Sequence, residues 1–109
     1  MAENLDHQLA MTADLVEHMR AIGDKVDVPR QVDHLAFFPK RAADAVVADL
    51  TAAGFSVGEA QRRLFKVGVE FHRTDACDQE SAAAFTRDVV GIVNRHGGSY
   101  DGWSSMVQR

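Results

Sequence analysis

Two spacings of apolar residues alternate along the chain, one helical and one extended. Over residues 3–22, "ENLDHQLAMTADLVEHMRAI", the residues Leu5, Leu9, Leu15, Val16, Met19 and Ile22 fall mostly at three- and four-residue steps, with Thr12 filling the stripe. That spacing predicts an amphipathic helix, stopped by Gly23. "DKVDVPRQ" follows as a linker. "VDHLAFF" (32–38) is short, rich in branched and aromatic residues, and bounded by Pro39, which predicts a strand. Its faces are Val32, His34, Ala36, Phe38 and Asp33, Leu35, Phe37, both partly apolar, so it belongs inside a sheet.

"KRAADAVVADLTAAG" (40–54) returns to the helical period, with Ala43, Val46, Val47, Leu50 and Ala53 as the stripe and Gly54 as the cap. "FSVGEAQRR" and "LFKVGVEFHRT" read as two strands. The second alternates with period two: Phe65, Val67, Val69 and Phe71 on one face, Lys66, Gly68, Glu70 and His72 on the other. "DQESAAAFTRDVVGIVNRHGG" (78–98) is a third helix with Asp78 as N-cap, Glu80 in the first turn, and Phe85, Val89, Ile92 and Val93 facing the core. "SYDGWSSMV" closes the chain as a strand. The order is a helix followed by β-α-β-β-α-β, which predicts a ferredoxin-like α/β sandwich: an antiparallel sheet with both helices on one face, plus an extra N-terminal helix. Residues 1–28 form that helix and its linker, and residues 29–109 the main domain, in one globular unit.

Composition narrows the function classes. A chain of 109 residues suits one domain, and a net charge of −4 argues against broad phosphate binding, so no direct nucleic-acid contact is expected. The single cysteine, Cys77, excludes an intramolecular disulfide and lies among acids that should raise its pKa, which fits a reducing cytoplasm. No apolar run has the length of a membrane span, and the acidic N-terminal stretch does not resemble a signal peptide. There is no GxSxG, Walker, GxGxxG or HExxH motif, so the reading is non-enzymatic, with no catalytic residue and no cofactor.

Two constellations remain. If Leu35 and Phe37 face the helices, His34 shares the open face with Glu70 and His72, a set able to bind a metal. The absence of HxH or HxxxH spacing makes a hydrogen-bonded structural histidine the favoured alternative. In the last strand, alternation sends Tyr100 one way and Asp101 and Trp103 the other. One aromatic should then enter the core and the other should stand on the open face, as packing residue or as partner anchor.

"DHLAFFPKRAADAVVADLTAAGFSV" and "SYDGWSS" resemble the family of regulators of ribonuclease E activity, the RraB family, over roughly residues 5–107. The resemblance implies a ferredoxin-like domain that binds ribonuclease E, inhibits RNA processing and catalyses nothing itself. Relatives carry a long acidic C-terminal extension, whereas this sequence ends at Arg109, which implies weak engagement of the nuclease's basic scaffold, or none. The expectation is a cytoplasmic bacterial protein-binding regulator, contacting its partner through His34, Glu70, His72, Tyr100, Asp101 and Trp103. The alternatives are a small-ligand or metal-binding module using His34, Glu70 and His72, and a homodimer with two sheets packed face to face.

Overall fold

The computed structural model describes residues 2–109. The chain is α+β: α1 (Leu5–Ala21), β1 (Arg30–Pro39), a single 3-10 turn (Lys40–Ala42), α2 (Ala43–Ala52), β2 (Ser56–Arg62), β3 (Lys66–Asp75), α3 (Gln79–Arg95) and β4 (Ser99–Ser105). The four strands make one sheet in the order β2-β3-β1-β4, and every neighbouring pair is antiparallel.

Local chemistry sets the element ends. Asn4 caps α1 by accepting from the His7 N–H, and Asp78 caps α3 by accepting from the Ser81 N–H at 3.1 Å, as its position in the sequence predicts. Gly54 leaves α2 at φ +91, a conformation open to glycine at little cost. The first helical turn expected at Lys40 is instead a 3-10 turn, Lys40–Ala42, which follows Pro39 at the end of β1 and leads into α2.

The helical layer lies on one face of the sheet. Val46 and Leu50 of α2, with Val89, Val90, Ile92 and Val93 of α3, pack onto Ala36, Phe38, Val67, Val69 and Phe71. α1 belongs to the same layer. Its Val16 and Met19 join Val32, Cys77, Ala82 and Phe85 in a second cluster, and its Thr12 hydroxyl meets that of Thr86 at 2.9 Å. The N-terminal helix therefore packs beside α3 and does not cover the far side of the sheet.

Four sequence expectations are corrected by this packing. The inward face of β1 is Val32, His34, Ala36 and Phe38, and the outward face is Asp33, Leu35 and Phe37, the reverse of the assumed register. The buried stripe of α1 is Gln8, Thr12, Val16 and Met19, so Leu5 and Ile22 at its rims stay exposed. Val47 of α2 is exposed for the same reason: the helix buries Val46 and Leu50, with Ala43 half-buried beside them. Phe65 precedes β3 and stands in the hairpin tip, 83% exposed, beyond the reach of the helical layer.

The last strand carries the fifth correction. Leu35 pairs with Gly102 but Ala36 pairs with Tyr100, so Asp101 is an extra residue. Gly102, at φ +105, takes the backbone conformation this bulge requires. The bulge shifts the alternation by one, so Tyr100 and Trp103, three residues apart, both turn toward the helices.

A buried ion pair ties the α1–β1 linker to the C-terminal segment. Arg30 grips both carboxylate oxygens of Asp24, at 2.9 and 3.2 Å, with the two side chains 3% and 0% exposed. The same guanidinium donates to the carbonyls of Lys25, Val28 and Met106, and the Gln108 N–H donates to Asp24. With its donors spent this way, the guanidinium holds the Asp24 carboxyl below the usual carboxylate range despite burial. Nothing in the linker's polar sequence signals this clamp.

Candidate functional site: a groove on the uncovered sheet face

The outward face of the sheet holds a shallow groove of about 570 Å³. Its middle is the pair Leu35 and Glu70, directly opposite each other on β1 and β3. Asp33 and His72 form the next pair along. β4 contributes Asp101, Gly102 and Ser104 on one side, and β2 contributes Gly58 on the other.

Backbone irregularities hollow out this surface. The β4 bulge lies on one flank. On the other, Val57 pairs with Phe71 and Ala60 with Val69, so two residues, Gly58 and Glu59, stand against Glu70. Bulges increase local twist, and glycines at 58 and 102 leave no side chains above the floor. A Cβ at Gly58 would already lie 3.4 Å from the Glu70 carbonyl.

The groove is acidic. Asp33, Glu70 and Asp101 line it, together with His72 but without a Lys or Arg. Asp33 is steadied by Gln31, whose Nε2 donates to it at 2.8 Å. A neutral-to-acidic, half-apolar trough of this kind suits a cationic chain with an apolar side group better than an anion.

Directly beneath lies a dry aromatic cluster. His34 is 2% exposed, stacks on Phe71 with ring centroids 5.1 Å apart, and meets Phe55 and Phe85 edge-on. Its Nδ1 shares a 2.7 Å hydrogen bond with the Tyr100 hydroxyl, while Nε2 has no polar partner. Burial pushes the imidazole down to about 3, with the Arg73 charge adding to the effect, so the ring is neutral. Burial likewise pushes the Tyr100 phenol up. Trp103 donates from Nε1 to the Thr12 hydroxyl at 3.1 Å and sets its ring edge-on to Phe85, tying β4 to α1 and α3.

Of the six residues expected to contact a partner, Glu70, His72 and Asp101 thus point into the outward groove. His34 and Trp103 border its floor but, like Tyr100, turn their rings inward, where they carry the sheet on which the others sit. The set His34, Glu70 and His72 is split by the sheet itself, because His34 pairs with Phe71 and points to the opposite side. Among the described residues no group of three His, Cys, Asp or Glu is placed to hold a metal ion. The sequence reading missed Asp33, Leu35, Gly58 and Ser104 in the groove. The signal for the first two was their shared parity with Glu70 once β1 is paired to β3 in the observed register.

Cys77 is buried, and its thiol is pushed up first by burial, with Asp24 and Asp75 adding to it. No described helix is long and apolar enough to cross a membrane.

The structure is thus an α+β domain with three helices on one side of a four-stranded antiparallel sheet and an acidic groove on the bare side. In the family comparison, the model for regulator of ribonuclease activity B matches residues 9–105, and the chain belongs to that family. No curated protein sequence matches it.

Proposed function

We propose that the chain is a non-enzymatic, cytoplasmic regulator that modulates ribonuclease E by binding it, using the outward sheet face as the contact surface. Membership of a family of ribonuclease regulators is the observation that carries this reading. The groove supplies the means. Glu70, His72 and Asp101, with Asp33 and Leu35, would receive a basic segment of the nuclease, and His34, Tyr100 and Trp103 would hold the strands beneath in register. Association through a preformed sheet face needs little reordering of the domain, which limits the entropy cost of binding.

The strand order β2-β3-β1-β4 and the all-antiparallel pairing support a ferredoxin-like arrangement. α1 shares a core cluster with Phe85 of α3, which favours one globular unit over a separate N-terminal module.

The test is cleavage of a defined RNA by purified ribonuclease E with and without the purified chain. Slower or redirected cleavage in its presence, and no cleavage by the chain alone, is the expected result. Unchanged cleavage at saturating chain, with no binding to the nuclease, would sink the reading.

A further inference from the structure

The β2–β3 hairpin has the opposite character to the groove. Its tip carries Leu64 and Phe65, 77% and 83% exposed, held by the Arg63 N–H donating to the Lys66 carbonyl at 2.8 Å. Together Leu64 and Phe65 form a small exposed apolar patch at the end of the sheet. Cations surround them: Arg62, Arg63 and Lys66 on the hairpin, and Lys40 and Arg41 just past Pro39, which pairs with Lys66. None of the five takes part in the ion pairs of the described residues. Five of the chain's 12 Lys and Arg residues therefore gather at one end of a protein with net charge −4.

The groove offers what this tip lacks: an apolar floor at Leu35 and carboxylates at Asp33, Glu70 and Asp101. The two cannot meet within one molecule. Both are parts of the same sheet, and the hairpin continues β2 and β3 away from the groove, its base at the Pro39–Lys66 pair lying four residues along β1 and β3 from the Leu35–Glu70 pair. An anionic lipid or an RNA would satisfy the tip alone. A second copy satisfies tip and groove together.

We infer that the hairpin tip of one copy docks into the outward groove of another, seating Leu64 and Phe65 over Leu35 and setting Arg62, Arg63 and Lys66 against Asp33, Glu70 and Asp101. The contact is heterologous: each docked pair keeps one free groove on one copy and one free tip on the other, so assembly grows with concentration instead of stopping at a symmetric pair. Its charge pairs lie at a solvated rim, so salt weakens it. The groove is the one assigned above to the nuclease, but self-docking stands whether or not the nuclease binds there.

Sedimentation of the purified chain tests this with two variants, Leu64→Ser/Phe65→Ser in the tip and Glu70→Lys/Asp101→Lys in the groove. Both sets of positions are outside the core, and circular dichroism confirms the fold of each; should the groove pair unfold, Asp101→Arg alone replaces it. The wild type gains mass with concentration and loses it in high salt. Each variant alone stays monomeric, its self-association weakened by about 100-fold or more. Mixed, the two variants form a one-to-one pair and nothing larger, because one intact groove and one intact tip remain. A wild type that is monomeric at every concentration overturns the proposal, as does a mixture that fails to pair. So does a monomeric wild type that pellets with phosphatidylserine vesicles through Leu64 and Phe65, which would give the tip to a lipid surface.

Discussion

The two faces of the sheet are built from the same strands and have opposite chemistry. On the covered face, His34 sits among the rings of Phe55, Phe71, Phe85 and Tyr100, with the Arg73 guanidinium over Phe55 at the cluster's edge. On the bare face, the very next residues, Asp33 and Leu35, border an open trough with Glu70, His72 and Asp101. The difference teaches where each kind of substitution will act. The covered face stores the folding free energy, and the bare face is free to carry recognition because little stability depends on it.

The strongest way to break this division is to hollow out the covered face. Phe85 touches both His34 and Trp103, so Phe85→Ala removes the ring that joins the two core clusters. It should cost about 3–5 kcal/mol, read as a lower midpoint in urea unfolding. An effect below about 1 kcal/mol would mean that the clusters are loosely packed. Asp24→Ala comes next. It leaves the Arg30 guanidinium buried without its carboxylate, at a cost of about 3 kcal/mol, the low end for a broken buried pair because three carbonyls still accept from Arg30. Replacing both residues, as Asp24→Leu/Arg30→Met, should recover part of that loss.

How much of this was legible in the sequence depended on whether two signals agreed. β3 was readable to its faces, because Val67, Val69 and Phe71 alternate with polar or small residues. α3 was readable to its core-facing side, because Phe85, Val89, Ile92 and Val93 form an unbroken stripe, although Ala82, Thr86 and Val90 are buried with them. β1 was not, because both of its faces are apolar and its most polar inward member, His34, looks like a surface residue. Only the Tyr100 hydroxyl and the surrounding rings make its burial tolerable. The parity of β4 was hidden for a different reason: period two assumes an unbroken ladder, and the bulge at Asp101 and Gly102 is a backbone event with no hydrophobic signature. The Asp24–Arg30 clamp was missed because both residues lie in what reads as a solvated linker, and their pairing depends on the C-terminal segment folding over them.

His34 sharpens the comparison through pH. Its ordinary value is 6.5, and in the folded protein it is lowered to about 3. The unfolded chain therefore binds a proton that the folded chain refuses once the pH drops below about 6.5. The stability this residue contributes is complete above that value and falls by about 1.4 kcal/mol per pH unit on the way down toward 3. Urea midpoints between pH 6.5 and pH 4.5 should fall accordingly. In His34→Leu/Tyr100→Phe, which removes the imidazole and its hydroxyl partner together, the slope should flatten. A slope unchanged in that variant would place the acid sensitivity elsewhere.

The smallest expected effect on stability belongs to the groove. Glu70→Lys should change the unfolding free energy by no more than about 0.5 kcal/mol, because Glu70 is exposed and has no partner among the ion pairs of the described residues. Its expected effect on binding is large, and that asymmetry carries the account.

The most direct test is thus a binding titration of purified ribonuclease E with three folded proteins: the wild type, Glu70→Lys/Asp101→Lys on the bare face, and Trp103→Phe on the covered face. The account predicts that the bare-face variant keeps its melting temperature and loses binding, while Trp103→Phe melts lower, having lost its hydrogen bond to Thr12, and still binds. Binding that survives both reversed charges but disappears with Trp103→Phe, in a protein that remains folded, would contradict it.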